Sequence, residues 1–210
     1  MMIAALYVGD QPGDPYVGLE GVDVWGVTRD ARGYAGPHPV VAHPPCERWG
    51  RYWGGGPSAS VKRELGDDGG CFAHALESVR RWGGVLEHPE ASHAWRAHGL
   101  HTPSRWGGWV VADDRGGWTC CVEQGHYGHR ARKATWLYAC GVELPSLRWG
   151  KAHGCERLED GYHTTAERRA ARAAGVPPVA RLTARERWAT PVAFRDLLVA
   201  MARSAQRRVA

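Results

Sequence analysis

The chain has 210 residues, 43% of them apolar, which suits one domain with a substantial core. No run approaches the roughly 20 apolar residues of a membrane span. The N-terminus also lacks a basic leader, so we expect a cytoplasmic protein without a membrane partner. The net charge of +5 favours a polyanionic partner such as DNA.

Arginine and tryptophan are both enriched. From Thr164 to Ala210 there are ten Arg, no Lys and three acidic residues, a composition suited to phosphate contacts. The whole chain has only three Lys, so a GC-rich genome that replaces Lys by Arg explains this bias equally well. We expect most of the eleven Trp to fill the core, while exposed Trp beside Arg would stack on bases. The six Cys show no CxxC spacing and are expected to be reduced.

Strand-like and helix-like segments alternate along the first half of the chain. Short apolar runs predict strands over residues 2–8, 22–25, 40–43 and 84–87. Phe72, Leu76 and Val79 have helical spacing and predict a helix over about 70–82, with Asp67 and Asp68 as candidate caps. The Gly-rich segment 51–68 is predicted to be a mobile loop. Ser92 is predicted to cap a short helix that runs to Ala97.

The second half continues the pattern. Residues 99–118 are predicted to form a loop or hairpin, and residues 119–123 and 134–139 are predicted to form paired strands. Two helices are predicted, one over 165–174 and one from Pro191 onward. This alternation indicates an α/β fold whose mostly parallel sheet is flanked by helices. We assign residues 1–163 to a catalytic core and 164–210 to an Arg-rich helical segment that packs on the core or extends from it.

Three residues suited to pyrimidine chemistry follow predicted strands. Cys46 follows the strand 40–43, Glu87 ends the strand 84–87, and Gln124 follows the strand 119–123. In an open α/β sheet, ligands bind beyond the carboxyl ends of the strands. We therefore expect a thiol, a carboxylate and an amide to line one cleft.

Cys46 is the candidate nucleophile. Pro44 and Pro45 stiffen the backbone before it, and Arg48 and Arg51 would favour the reactive thiolate. The segment His-Pro-Pro-Cys resembles the Pro-Cys nucleophile motif of the cytosine-C5 DNA methyltransferases. The resemblance implies that the thiolate attacks C6 of a flipped-out base, which makes C5 nucleophilic toward the methyl group of S-adenosylmethionine. It also implies a Rossmann-like, methyltransferase-type sheet.

The segment Glu87-His88-Pro89 is similar to a second motif of that family, a strand that ends in Glu-Asn-Val or Glu-Asn-Pro. The resemblance implies that Glu87 contacts N3 and the exocyclic amine of cytosine. A carboxyl group there offsets the charge that develops in the ring. His88 stands where the family has Asn, and this difference bears on which base is accepted.

The segment 124–133 resembles the family's Gln-x-Arg-x-Arg segment and the Tyr-Gly-x-x-x-Arg-Lys-x-Thr form of some small relatives. The resemblance implies that it holds the flipped nucleotide and its phosphates, with Arg130 and Arg132 in catalytic roles. These two arginines would share one face of an extended segment. A solvated basic turn is the alternative. The candidate DNA contacts are His43, Arg48, Arg51, His88, Gln124, His126, Tyr127, His129 and Lys133.

The N-terminal segment departs further from the family. Residues 9–18 contain glycines and acids but not the Phe-x-Gly-x-Gly loop that binds the cofactor. Asp30 stands where the family places an acid against the adenosine. The candidate residues for S-adenosylmethionine are Tyr7, Gly9, Asp10, Tyr16, Asp30 and Pro44.

Three alternatives stay open. A zinc site would use His43, Cys46, His88, His126 and His129, but the deaminase signature is absent and we expect no metal. An enzyme on the same scaffold would use another donor or an already modified pyrimidine. A catalytically silent nucleic-acid-binding protein would use its Trp and Arg surfaces. The chain has no obvious room for a separate target-recognition domain, which favours low sequence specificity or a partner; such compactness is also typical of phage proteins.

Overall fold

The computed structural model describes residues 1–55, 63–153, 156, 165–176 and 182–205. The strands are β1 (Ile3–Leu6), β2 (Val22–Trp25), β3 (Val40–Ala42), β4 (Gly84–Pro89), β5 (Val110–Val111), β6 (Gly117–Glu123) and β7 (Ala134–Cys140). The helices are α1 (Cys71–Trp82), α2 (His93–Ala97), α3 (Thr165–Ala173), α4 (Ala184–Trp188) and α5 (Val192–Arg203). No helix in these ranges is long and apolar enough to cross a membrane.

All seven strands form one sheet in the order β2-β1-β3-β4-β7-β6-β5. The first four in this order are parallel, whereas β7, β6 and β5 follow in antiparallel pairs. The predicted α/β class is therefore confirmed, but the sheet is mixed, with its parallel strands gathered at one end. The hairpin of β6 and β7 accounts for the difference, because a short connection can join only antiparallel neighbours.

The order of the first strands contains a switch point. From β1 the chain moves outward to β2, then returns to the other side of β1 to form β3. Connections that leave β1 and β3 thus diverge, and ligands of open α/β sheets bind at such a switch point, beyond the carboxyl ends of the strands.

Apolar side chains cover both faces of the sheet because successive strand residues alternate between faces. On one face, Ala4 and Leu6 pack with Phe72 and Leu76 of α1. On the other, Ile3 packs in a cluster that contains the apolar residues of α5, namely Phe194, Leu198, Val199, Met201 and Ala202. This helix of the Arg-rich segment is thus part of the core. Trp49, Trp95 and Trp136 are buried, whereas Trp106, Trp118 and Trp188 are exposed.

Most predicted elements are confirmed, and the differences have local causes. Ser92 caps α2 as predicted, whereas Gly70 is the N-cap of α1 and the Asp68 carboxylate accepts from the nearby amides. Strand β4 is longer than predicted because it pairs with β7 along its whole length. Helix α4 was not predicted, although its Thr183–Glu186 capping box is a sequence signal. Part of the predicted mobile loop, 56–62, lies outside the described residues.

Strands β3 and β4 approach each other closely at Gly84. Its φ of 137° is one that L side chains rarely adopt, and a Cβ there would overlap the carbonyl oxygen of Val40. Glycine is therefore required at the start of the strand that carries Glu87.

Candidate active site

The structure brings Cys46, Glu87 and Gln124 to the same end of the sheet. The Gln124 amide donates to Glu87 Oε1 at 3.2 Å. Cys46 lies near enough to Glu87 for the carboxylate charge to raise the pKa of its thiol. Glu87 itself lies within β4 and not after it, since the pairing of β4 with β7 continues to Pro89.

Glu87 is an ionised carboxylate although its side chain is only 13% exposed. Burial alone would raise the pKa of this carboxyl, but hydrogen bonding and the charges of His43 and Lys133 outweigh it and hold the pKa well below its usual range. The Glu87 Oε2 atom lies 3.0 Å from His43 Nδ1. Because an ionised carboxylate can only accept, Nδ1 is the donor.

A tyrosine completes the chain of hydrogen bonds behind Glu87. The Tyr16 hydroxyl lies 2.8 Å from His43 Nε2, and burial raises the pKa of this phenol, which therefore keeps its proton. The Tyr16 hydroxyl donates to Nε2 when the imidazole is neutral and accepts from it when the imidazole is charged. His43 is thereby fixed at both ring nitrogens. Sequence reasoning assigned Tyr16 to the cofactor, and nothing in the pattern pointed to this contact.

Cys46 is half-buried and free of any disulfide. Burial and the Glu87 charge raise the pKa of its thiol, whereas Lys133 lowers it. Arg48 and Arg51 were predicted to favour the thiolate, but Arg51 is exposed and Lys133 is the cation that acts on Cys46. The resting side chain is therefore a thiol, and the charge of the Lys133 ammonium group favours its ionisation.

Lys133 joins this site to helix α4. Its ammonium group donates to the carbonyl oxygens of Trp188 at 3.2 Å and of Ala189 at 2.8 Å. Burial lowers the pKa of this lysine, and the charges of Glu87 and Cys46 act against that effect. Lys133 therefore lies between the reactive groups and the end of α4.

Gln124 is fully buried and its amide orientation is fixed. Its Nε2 atom donates both to Glu87 and to the Thr135 hydroxyl, at 3.0 Å. Because the carboxylate can only accept, the amide nitrogen must face it. Gln124 Oε1 is then a buried acceptor with no partner among the described residues. Such an atom is costly to leave unpaired, so the position favours a ligand or a water that donates.

His88, predicted to contact DNA, is instead in the core. Its side chain is fully buried, its Nδ1 atom lies 2.8 Å from the Ser92 hydroxyl, and its ring packs between Phe72 and Trp95. Burial lowers the pKa of His88 to about 4, so the ring is neutral at pH 7. Neighbouring strand residues face opposite sides of a sheet, which explains why Glu87 and His88 have different surroundings.

The segment that follows Gln124 begins with a 3₁₀ turn and mostly binds its own surroundings. His126 and His129 contact the carbonyl oxygens of Gly150 and Glu186, and the Tyr127 hydroxyl accepts from the Arg148 amide. These side chains shape the loop.

The two arginines predicted to be catalytic have different surroundings. Arg130 forms ion pairs with Glu156 and Glu186, the latter in α4. Arg132 is exposed. The structure therefore does not bring the Arg130 guanidinium to Glu87, and only Arg132 remains available to a large ligand.

The candidate cofactor residues surround the ends of β1 and β2. Tyr7 binds His74 through its hydroxyl at 2.9 Å, Asp10 accepts from the Thr28 amide, and Gly9 leaves space that the Asp14 side chain fills. Pro44 is buried beside His43.

Asp30 is the residue expected to bind the ribose of S-adenosylmethionine. Its carboxylate accepts from the Arg32 amide at 3.2 Å and from the Arg32 guanidinium at 2.8 and 2.9 Å. A carboxylate offers about four lone-pair sites, so Asp30 keeps capacity for one ribose hydroxyl group.

The five residues of the zinc alternative do not converge. His43 is held by Tyr16 and Glu87, and His88 is in the core. In the part of the chain that the structure describes, no three His, Cys, Asp or Glu residues are arranged to hold a metal ion.

The fold and the site define an α/β protein with a thiol, a carboxylate and an ammonium group at one edge of its sheet. No protein-family model, no curated protein and no solved structure matches the chain. Its function therefore has to be inferred from the site.

Proposed function

We propose that this protein is a DNA-modifying enzyme that transfers a methyl group to C5 of cytosine through a covalent bond between Cys46 and C6. The single observation that supports this most is an ionised Glu87, oriented by Gln124 and His43, close enough to Cys46 for its charge to act on the thiol. Cys46 follows β3, Glu87 lies in the last half of β4 and Gln124 follows β6, so all three lie at the same edge of the sheet.

The resting protonation states suggest how the addition would proceed. The Cys46 proton would pass through water to N3 of cytosine, whose N–H then donates to the ionised Glu87, while sulfur forms a bond with C6 and the π electrons move to C5. Lys133 stabilises the thiolate as it forms. After methyl transfer, the C5 proton would pass to water, and the N3 proton would return to sulfur as the S–C6 bond breaks, which restores the aromatic ring and the free cysteine.

Two further residues orient the base and the carboxylate. Gln124 Oε1, the unpaired buried acceptor, suits the exocyclic amine of cytosine, a donor that thymine lacks. His43, held by Tyr16, fixes the position of Glu87 and keeps it ionised.

S-adenosylmethionine would lie at the switch point between β1 and β3, against Tyr7 and Asp30. When bound, it supplies an electrophilic methyl group. The chain's own residues orient the ribose: Asp30 accepts from one hydroxyl group, and Gly9 lets the loop fold onto Asp14.

Covalent trapping tests the proposal. We expect DNA that contains 5-fluorocytosine to form a denaturant-resistant complex with the wild-type protein in the presence of S-adenosylmethionine. Cys46→Ala should reduce this complex to background because no sulfur remains to add to C6. Cys71→Ala, which removes another partly exposed thiol, is the matched control and should still form it.

Nucleoside mass spectrometry of DNA co-expressed with the protein gives the second measurement. New 5-methyldeoxycytidine that depends on Cys46 is the expected result. Absence of both the complex and any modified pyrimidine would overturn the proposal, and DNA binding without either would favour a silent binding protein.

The Asp30–Arg32 pair favours a second candidate, an enzyme on the same scaffold with a different donor. The Arg32 guanidinium already binds the carboxylate that would bind the ribose of S-adenosylmethionine. Titration calorimetry separates the two candidates: heat of binding with S-adenosylmethionine supports the methyltransferase, and its absence supports the other donor.

A further inference from the structure

Helix α4 presents an exposed aromatic side chain among basic residues. Trp188, its last residue, is 74% exposed, and Arg185 and Arg187 are exposed as well. Arg185 and Trp188 are three residues apart, so they lie on the same side of the helical turn. A large indole in water beside guanidinium groups is the combination that binds nucleic acid strands.

This helix is fixed at the rim of the candidate active site. The ammonium group of Lys133, which acts on Cys46 and Glu87, donates to the Trp188 and Ala189 carbonyls. His129 Nε2 contacts the Glu186 carbonyl oxygen at 3.0 Å, and Arg130 forms an ion pair with the Glu186 side chain. Helix α4 is thus tied to the same loop that supplies Lys133.

We propose that Trp188 stacks on a DNA base next to the cytosine that occupies the site, while Arg185 and Arg187 contact the neighbouring phosphates. This inference rests on the proposed function. Lys133 binds the Trp188 backbone, and its charge acts on Cys46 and Glu87, so DNA held at the site would lie close to α4. Every base offers a π face to an indole, and the guanidinium groups complement the phosphate charge. Stacking would therefore hold the flanking DNA without reading its sequence.

Fluorescence anisotropy with a short labelled single strand that contains one cytosine, whose bases are free to stack, tests the proposal on the full chain. Trp188→Ala should weaken binding by about 5- to 150-fold, the range expected for one base–aromatic stack. Trp188→Phe, which keeps a ring, should retain most of the affinity. Trp118→Ala is the matched control, since Trp118 is also partly exposed but lies at the opposite end of β6 from Gln124.

Salt dependence separates stacking from phosphate contacts. Trp188→Ala should leave the slope of log Kd against log salt unchanged, whereas Arg185→Ala should reduce it by about one unit. Because a smaller folded fraction would raise the apparent Kd without changing the slope, urea unfolding of Trp188→Ala should match the wild type.

Three results would overturn this inference, and they differ in what they imply for the proposed function. If Trp188→Ala binds DNA as the wild type does while the Cys46 complex still forms, the stacking role is wrong and the proposed function stands. If Phe fails to restore binding, Trp188 does not act as a stacking ring. If the wild-type protein binds no DNA, both proposals fail.

Discussion

At the scale of single residues, the buried Glu87 carboxylate depends on its donors. His43 and Gln124 each bind one of its oxygens, and Tyr16 fixes His43 from the other side. Hydrogen bonds to a charged group stabilise it more than bonds between neutral groups do. Glu87 is therefore stabilised in its ionised form, and the folded protein should lose stability when acid pH protonates it.

Glu87→Gln should flatten the acid dependence of stability. The folded-state pKa of Glu87 lies below that of the unfolded chain, so the unfolded chain binds the proton first as the pH falls. The stabilisation is complete above the ordinary glutamate pKa of about 4.3 and is lost as the pH falls towards about 2.

Urea unfolding at a series of pH values measures this effect. The wild-type free energy of unfolding should fall more steeply over that range than that of Glu87→Gln. Glu143→Gln, at an exposed position, should follow the wild type. Parallel curves for Glu87→Gln and the wild type would show that Glu87 is not held ionised by its neighbours.

At the scale of elements, the helix α5 shows how composition can mislead. Its segment is rich in arginine, yet Phe194 and Leu198 are fully buried against the sheet. The arginines of this helix bind at its edges: Arg195 and Arg203 donate to the carbonyl oxygens of Pro15 and Glu20. The helix therefore stabilises the loop that carries Tyr16.

Leu198→Ala should destabilise the protein by about 2–5 kcal/mol, because it removes a buried side chain and leaves a cavity. Val192→Ala, at the exposed start of the same helix, should change the free energy of unfolding by less than about 0.5 kcal/mol. Urea denaturation of both variants gives the comparison. Equal effects would mean that α5 does not pack as described.

The sequence predicts where the strands end but not which side chains meet across the fold. Strand ends were predictable because apolar runs stop there, and this was enough to bring Cys46, Glu87 and Gln124 together. The partners of His43 and Arg130 were not predictable, because Tyr16 and Glu186 come from distant loops and helices whose approach depends on tertiary packing. His88 was misassigned because motif similarity outweighed strand alternation, which points this residue to the core.

At the scale of the whole molecule, the central strands of the sheet are buried and its edge strands are more exposed. Strand β3 lies between β1 and β4, and the residues of β1 and β3 are completely buried. The two edge strands differ in exposure: all residues of β2 are half-buried and both residues of β5 are exposed.

Hydrogen exchange followed by mass spectrometry should reflect this layering. Amides of β1, β3 and β4 should exchange slowest, because they open only when the molecule unfolds, and those of β5 should exchange fastest among the strands. Similar exchange rates for the amides of the central strands and of β5 would contradict this difference in burial.

The shortness of β5 also affects how copies of the molecule meet. Its two residues, Val110 and Val111, are apolar and exposed, a sequence that in a longer strand would invite another chain to add on. Two residues offer too few unpaired backbone groups to template such growth. The molecule thus limits amyloid-like stacking at this margin by length alone, without a guarding charge on β5.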